Sequence, residues 1–342
     1  MTERPSAFAL DRRGFIRLAG TTAAGWIALG ATSDRMRIVA SLTGLPLDDE
    51  LTRRSMTDSP TSRLGGLIVG LRQRGWVEGV NFRLELRSTF GGPDKLKTAV
   101  QELLELKPDV ILTGSTIETA AVFAATKTIP IVFATANDPV GNGFVESLAH
   151  PGGNVTGIFL DLPGFNAKTL QLLREVVPGI AKVAALWHPA SGSLQLETMR
   201  SAASAVNVML EVFEVRVPSD FDRVFQAMVR SQAAGVLMLS SPLFAGYPRL
   251  LADLALSNRL PAINIFPDFA RNGGLIGYGP DIQGLFTQAG LLTRKVLQGT
   301  SVADLPIERP TRFMLVADLK TARALGITLP TSILLSADEV IE

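Results

Sequence analysis

Short apolar runs alternate with amphipathic stretches from residue 37 almost to the end of this chain. Arg37–Leu42 and Val110–Leu112 are short and largely apolar, the pattern of strands buried on both faces of a parallel sheet. Between them, Leu64, Leu67, Ile68 and Leu71 recur at helical spacing within 59–74, and Phe82, Leu84 and Leu86 alternate as a strand. Leu96, Ala99, Val100, Leu103 and Leu106 mark a second helix, closed by Pro108. A helix over 118–127 and strands at 131–133 and 155–158 continue the series. Strands joined by helices imply right-handed crossovers and a doubly wound parallel sheet.

The pattern then starts again. Helices are expected at 165–177, 194–206, 221–231 and 247–256, interleaved with strands at 183–187, 210–215, 236–239 and 262–265. The segments 106–115 and 233–241 each run from a helix end through a strand into small hydroxylated residues, a loose architectural repeat. The tail adds a strand at 275–278, a helix over 285–297 stopped by Gly299, and a strand–helix pair at 313–316 and 319–325. The fold class is therefore α/β: two doubly wound parallel-sheet lobes joined by a multi-strand hinge. Crossings are expected near 157–161, 278–281 and 307–312. That makes lobe 1 residues 36–158 plus 279–306, and lobe 2 residues 159–278 plus 307–342.

The N-terminus reads as an export signal. Asp11-Arg12-Arg13-Gly14-Phe15-Ile16-Arg17 is a twin-arginine-like pattern, followed by an apolar, acid-free run from Leu18 to Ala31. That run is shorter than the roughly 20 residues of a membrane span. An N-terminal helix with a chance arginine pair is the alternative, but such a helix would have no polar face for solvent. Residues 1–31 are thus expected to be removed, placing the chain in the periplasm by the twin-arginine or the general route. The formal charge is +1; losing 1–31 removes four arginines and two acids and leaves the chain near −1. That balance does not suggest a nucleic-acid partner. With no cysteine, disulfides, thiolate chemistry and a lipidated anchor are excluded.

In open α/β sheets, ligands bind beyond the carboxyl ends of the strands. Ser115 and Thr116, after the strand at 110–112, could hold an anionic group at a helix N-terminus or simply cap that helix. Asn137 and Asp138 follow the next strand, where Pro139 suits a first helical turn. His188, Ser241, Asn264, Asp268 and Tyr278 are the candidates from the second half. Asp268 and Asp281 could answer an ammonium group, or be solvated loop carboxylates; Tyr278, Trp187 and Phe266 could stack on an apolar ligand. His150 lies in a turn and reads as a surface residue. No Gly-x-Ser-x-Gly elbow or Gly-x-x-x-x-Gly-Lys phosphate loop occurs. Two distant histidines and no cysteine disfavour zinc. No catalytic residue, metal or cofactor is expected.

Four segments carry a resemblance: Lys107-Pro-Asp-Val-Ile, Ile129-Pro-Ile-Val-Phe, the run from Asn137 to Ala149, and Pro151-Gly-Gly-Asn-Val-Thr-Gly157. With the ending Ser336-Ala-Asp-Glu-Val-Ile-Glu342 they resemble the ABC-transporter substrate-binding proteins of the tryptophan/tyrosine-transporter type. The likeness covers about residues 36–342. It implies a type I periplasmic-binding fold, acting as a monomer, that takes a small polar or amino-acid-like solute and delivers it to a membrane permease. By position in the matched segments, Ser115 and Thr116 fall in that family's first-lobe binding loop, and Asn137 and Asp138 in its Asp-Pro-Val turn. The loop after the first strand, Thr43 to Thr57, is longer and more charged than the family's. A ligand-sensing role beside a membrane signalling partner is the alternative from another class.

Overall fold

The computed structural model describes residues 35–342 apart from 45–46, 48–61, 74, 91 and 161. The expected export signal lies outside the described residues. In chain order the first half contains β1 (Arg37–Thr43), α1 (Arg63–Arg72), β2 (Phe82–Ser88), α2 (Pro93–Glu105), β3 (Val110–Thr113), α3 (Thr116–Ala125), β4 (Ile131–Ala136) and β5 (Val155–Phe159). All five strands are parallel, in the order β2-β1-β3-β4-β5.

The strands are apolar on both sides because the sheet is covered on both sides. Val110 and Leu112 join Val39, Val132 and Ala134 under α1. Ile111, between them, joins Ala40, Ile131 and Phe133 under α2 and α3. Successive side chains point to opposite faces of a strand, so one run feeds two cores. Each fully buried valine, leucine, isoleucine or phenylalanine among them contributes about 1.5–3 kcal/mol.

The second half contains α4 (Leu162–Val176), β6 (Lys182–Trp187), α5 (Leu194–Ala205), β7 (Met209–Glu214), α6 (Phe221–Arg230), β8 (Val236–Met238), α7 (Pro242–Ala245), α8 (Pro248–Ser257), β9 (Ala262–Asn264), α9 (Asp268–Arg271) and β10 (Ile276–Pro280). It closes with α10 (Ile282–Leu297), β11 (Phe313–Asp318), α11 (Leu319–Leu325), α12 (Thr331–Ser336) and β12 (Glu339–Ile341). Seven strands lie in the order β12-β11-β10-β9-β8-β6-β7, parallel except where β10 meets β11. Val183, Leu237 and Ile263 face α4 and α5, whereas Ala184, Val236 and Ala262 face α6 and α8.

Helix α10 follows β10 of the second sheet but packs along α1 against the first. Glycines set how closely the two helices approach. A Cβ on Gly70 would sit 2.3 Å from the Thr287 carbonyl oxygen, and one on Gly290 would sit 2.5 Å from that of Leu67. Three segments run side by side where the sheets meet. Phe159 N–H donates to Glu308 O at 2.9 Å, Glu308 N–H to Gly157 O at 2.9 Å, and Asp281 N–H to Arg312 O at 3.2 Å.

The turn after β4 departs from the sequence reading. Pro139 does not open a helix: Asp138 takes φ 45°. Its carboxylate accepts Gly141 N–H at 2.9 Å, and its carbonyl accepts Asn142 N–H at 3.0 Å. An aspartate that bonds its own backbone in this way tolerates the left-handed region and closes a tight turn instead. The strand β12 and the short helix α9 were also absent from the sequence reading.

Candidate functional site

Strand order reverses in each sheet at the point where two neighbouring strands send their connections in opposite directions. That point lies between β1 and β3 in the first sheet and between β6 and β8 in the second. Loops diverging there leave a crevice, and the two crevices face each other. They form one cleft of about 670 Å³, within the range of small-molecule sites. The lobes also touch beside it: the turn Pro189–Ser191 contacts α3, and the Phe90 and Tyr247 rings lie 6.2 Å apart.

The first-lobe wall is a braced loop. Ser115 is the N-cap of α3, its hydroxyl accepting Glu118 N–H at 3.3 Å. Glu118 is 4 % exposed; it accepts Gly114 N–H at 2.8 Å and the Thr89 hydroxyl at 3.0 Å. Burial pushes its pKa above the ordinary glutamate value, against the pull of those donors and of the Arg63 charge. Thr116 Oγ1 accepts Asn137 N–H at 2.9 Å, tying the loop after β3 to the loop after β4. Asn137 and Thr135 complete this wall.

Arg63, the first residue of α1, points into the same space. Among the described residues no hydrogen bond or ion pair reaches its guanidinium. Burial pulls its pKa down, while the charges of Asp268 and Glu118 pull it up.

The second-lobe wall is built by backbone clamps. Buried Gln195 donates to Ser240 O and accepts Ser240 N–H, each at 2.8 Å, fixing the loop after β8. Ser241 caps α7 by accepting Leu243 N–H at 3.0 Å, and its hydroxyl shares a 2.9 Å hydrogen bond with His188 Nδ1. Asn264 Oδ1 accepts Phe266 N–H at 2.8 Å, which turns Phe266 toward the cleft. Asp268 is held by Arg271 at 3.1 Å, and Arg271 also pairs with Glu339 at 2.9 Å. Ser191 Oγ lines the cleft shielded from solvent and, among the described residues, without a hydrogen-bond partner.

Of the residues singled out from sequence, Ser115, Thr116, Asn137, Ser241, Phe266, Asp268 and Asp281 line the cleft. Trp187, whose Nε1–H donates to Gly192 O at 3.1 Å, and four others stand outside the lining. Asp138 closes its own turn, His188 lies behind Ser241, Asn264 supports Phe266, and Tyr278 packs between the two lobes' apolar cores. Sequence reasoning did not single out Arg63, Glu118 or Gln195. A helix-opening arginine and a first-turn glutamate carry no periodic signal, and the role of Gln195 depends on a loop 45 residues away.

Comparison with known proteins gives a concordant result. The family model described as ABC transporter substrate binding protein matches residues 56–341. A tyrosine-binding protein of Clostridioides difficile (strain R20291) is 25 % identical over 266 residues, covering 77 % of this chain and 76 % of that one. Two solved structures share the fold. One is a conserved domain protein from Vibrio cholerae O1 biovar eltor, with TM-score 0.80 and 23 % identity. The other is an ABC domain from Streptococcus pneumoniae in complex with L-Trp, with TM-score 0.79 and 22 % identity. Each covers 90 % of this chain and is itself covered in full.

Proposed function

Because the chain belongs to the ABC transporter substrate binding protein family, we propose that it is the periplasmic solute-binding component of an ABC importer. It captures a small polar or amino-acid-like solute between its lobes and hands it to a membrane permease. The family is one of solute-binding proteins rather than enzymes. The observation that carries this reading is the cleft itself. Both switch points open into it, and it combines braced polar loop ends with apolar surface from Leu64, Ile117, Leu160, Phe266 and Phe286. The tyrosine and tryptophan bound by the two relatives support a solute of amino-acid size.

In this reading lobe 1 comprises 36–158 plus 279–306, and lobe 2 comprises 159–278 plus 307–342. The three adjacent segments near 157–161, 278–281 and 307–312 form the hinge. A solute touching both lobes favours the closed form by its differential contacts. Thr116, Asn137, Ser241 and Asp268 meet the solute, while Asp138, His188, Asn264 and Tyr278 hold the walls. Residues 1–31 direct export and are cleaved, and the mature chain acts as a monomer.

A thermal-shift screen against amino acids, organic acids and small anions tests the proposal. A solute at about 100 times its dissociation constant stabilises the fold by roughly 2.7 kcal/mol, so one compound class should raise the melting temperature clearly. Silence across a broad solute library would overturn it.

A further inference from the structure

The charges lining the cleft are three guanidinium groups, Arg63, Arg271 and Arg312, and three carboxyl groups, Glu118, Asp268 and Asp281. Their pairing is uneven. Arg271 is held by Asp268 and Glu339, and Arg312 faces Asp281 at 3.9 Å. Glu118 is taken up by Gly114 N–H and the Thr89 hydroxyl. Every cleft carboxyl group thus has a bonded protein partner, whereas among the described residues Arg63 alone of the cleft cations has no hydrogen bond or ion pair, Asp268 and Glu118 acting on it only through their charge.

From this juxtaposition we propose that Arg63 anchors the solute's carboxylate and that no ammonium group is required, so the solute class is a small monocarboxylate with an apolar body. The inference rests on the receptor reading above and narrows it. Arg63 is half-buried, so its guanidinium gives up part of its hydration with no protein hydrogen bond among the described residues in return, and a carboxylate answers a guanidinium with two parallel hydrogen bonds. Burial raises the pKa of Glu118, which weakens it as a counter-charge for an ammonium group. An ammonium group on the solute would have to displace Arg271 from Asp268 or Arg312 from Asp281. The apolar surface that Leu64, Ile117 and Phe286 add to the same cleft suits the rest of such a molecule.

Isothermal titration of the chain with matched compounds tests this. Three sets share one body each: 3-(4-hydroxyphenyl)propionate, L-tyrosine and tyramine; 3-phenylpropionate, L-phenylalanine and phenethylamine; 4-methylpentanoate, L-leucine and isopentylamine. In at least one set the amine-free acid should bind no more weakly than the amino acid, and the amine should not bind. Arg63→Gln should weaken the acid by about 10- to 100-fold, the worth of a charge-assisted hydrogen bond, with an unchanged melting temperature, and Arg63→Lys should retain part of the affinity. An amino acid bound about tenfold or more above its amine-free acid would overturn the inference, as would binding of an amine or an Arg63→Gln variant of undiminished affinity. If all nine compounds are silent while another solute from the broad library binds, the inference falls and the receptor reading stands. If the whole library is silent, both fall.

Discussion

Replacing Gly70 by alanine should destabilise the protein even though alanine is the better helix former. In an exposed helix the change gains about 1 kcal/mol. Here the new Cβ would lie 2.3 Å from the Thr287 carbonyl oxygen and 2.9 Å from Gly290 Cα. Both are backbone atoms of α10, so no side chain can rotate away. An ordinary contact requires a retreat of about 1 Å between the helices, and a gap of that size forfeits a quarter to a half of each neighbouring dispersion contact. Overpacking of this kind costs about 1–3 kcal/mol, leaving a net loss of up to about 2 kcal/mol. Gly164, in the first turn of α4, is the control: among the described residues nothing lies within 4 Å of its added Cβ. Alanine there should be neutral or stabilising by up to about 1 kcal/mol. Urea unfolding of both variants reads the two signs directly. If Gly70→Ala raises the midpoint as much as Gly164→Ala does, α1 and α10 are not held at the distance described.

Further outcomes follow from the walls of the cleft. Thr116→Ala removes the acceptor for Asn137 N–H and should cost about 1 kcal/mol of stability; an unchanged urea midpoint would show that the two loops are not tied there. The pKa of Glu118 is raised in the folded state. Its contribution is therefore fully present below the unfolded value of about 4.3 and is lost as pH rises through the folded value. Glu118→Gln should flatten that slope in a series of melts at increasing pH, and an unaltered slope would refute the assignment. The pKa of His188 is lowered by burial and by the Arg216 charge. Its contribution is present above about pH 6.5 and declines as pH falls toward the folded value. An NMR titration should place His188 below the ordinary histidine value of about 6.5, and a value at or above it would contradict the partly buried environment of His188.

The strands that carry both cores were legible because continuous apolar runs such as Val110–Leu112 have few other uses. The crossing of α10 back to the first sheet was less visible. Its apolar spacing announces a helix, but only the carbonyl contacts at Gly70 and Gly290 show what that helix lies against. Some short elements without a continuous apolar run were missed: β12 is three half-buried residues, and α9 is four residues long. Pro139 misled because proline fits a first helical turn as well as a tight turn. What decides is Asp138 bonding its own backbone. In the site, looking just past each strand found Ser115, Thr116, Asn137 and Ser241. The same search passed over Arg63, which enters the cleft from the start of a helix.

The central claim is that a solute closes two lobes over this cleft, and the absence of cysteine makes a distance measurement straightforward. Val140 and Leu250, 44 % and 41 % exposed, serve as single labelling sites in lobe 1 and lobe 2 after replacement by cysteine. Double electron–electron resonance between spin labels at these two sites should show a component longer than the separation in this structure when no solute is present. A saturating solute should collapse the distribution onto that separation. Identical distributions with and without a solute proved to bind by titration would contradict the account.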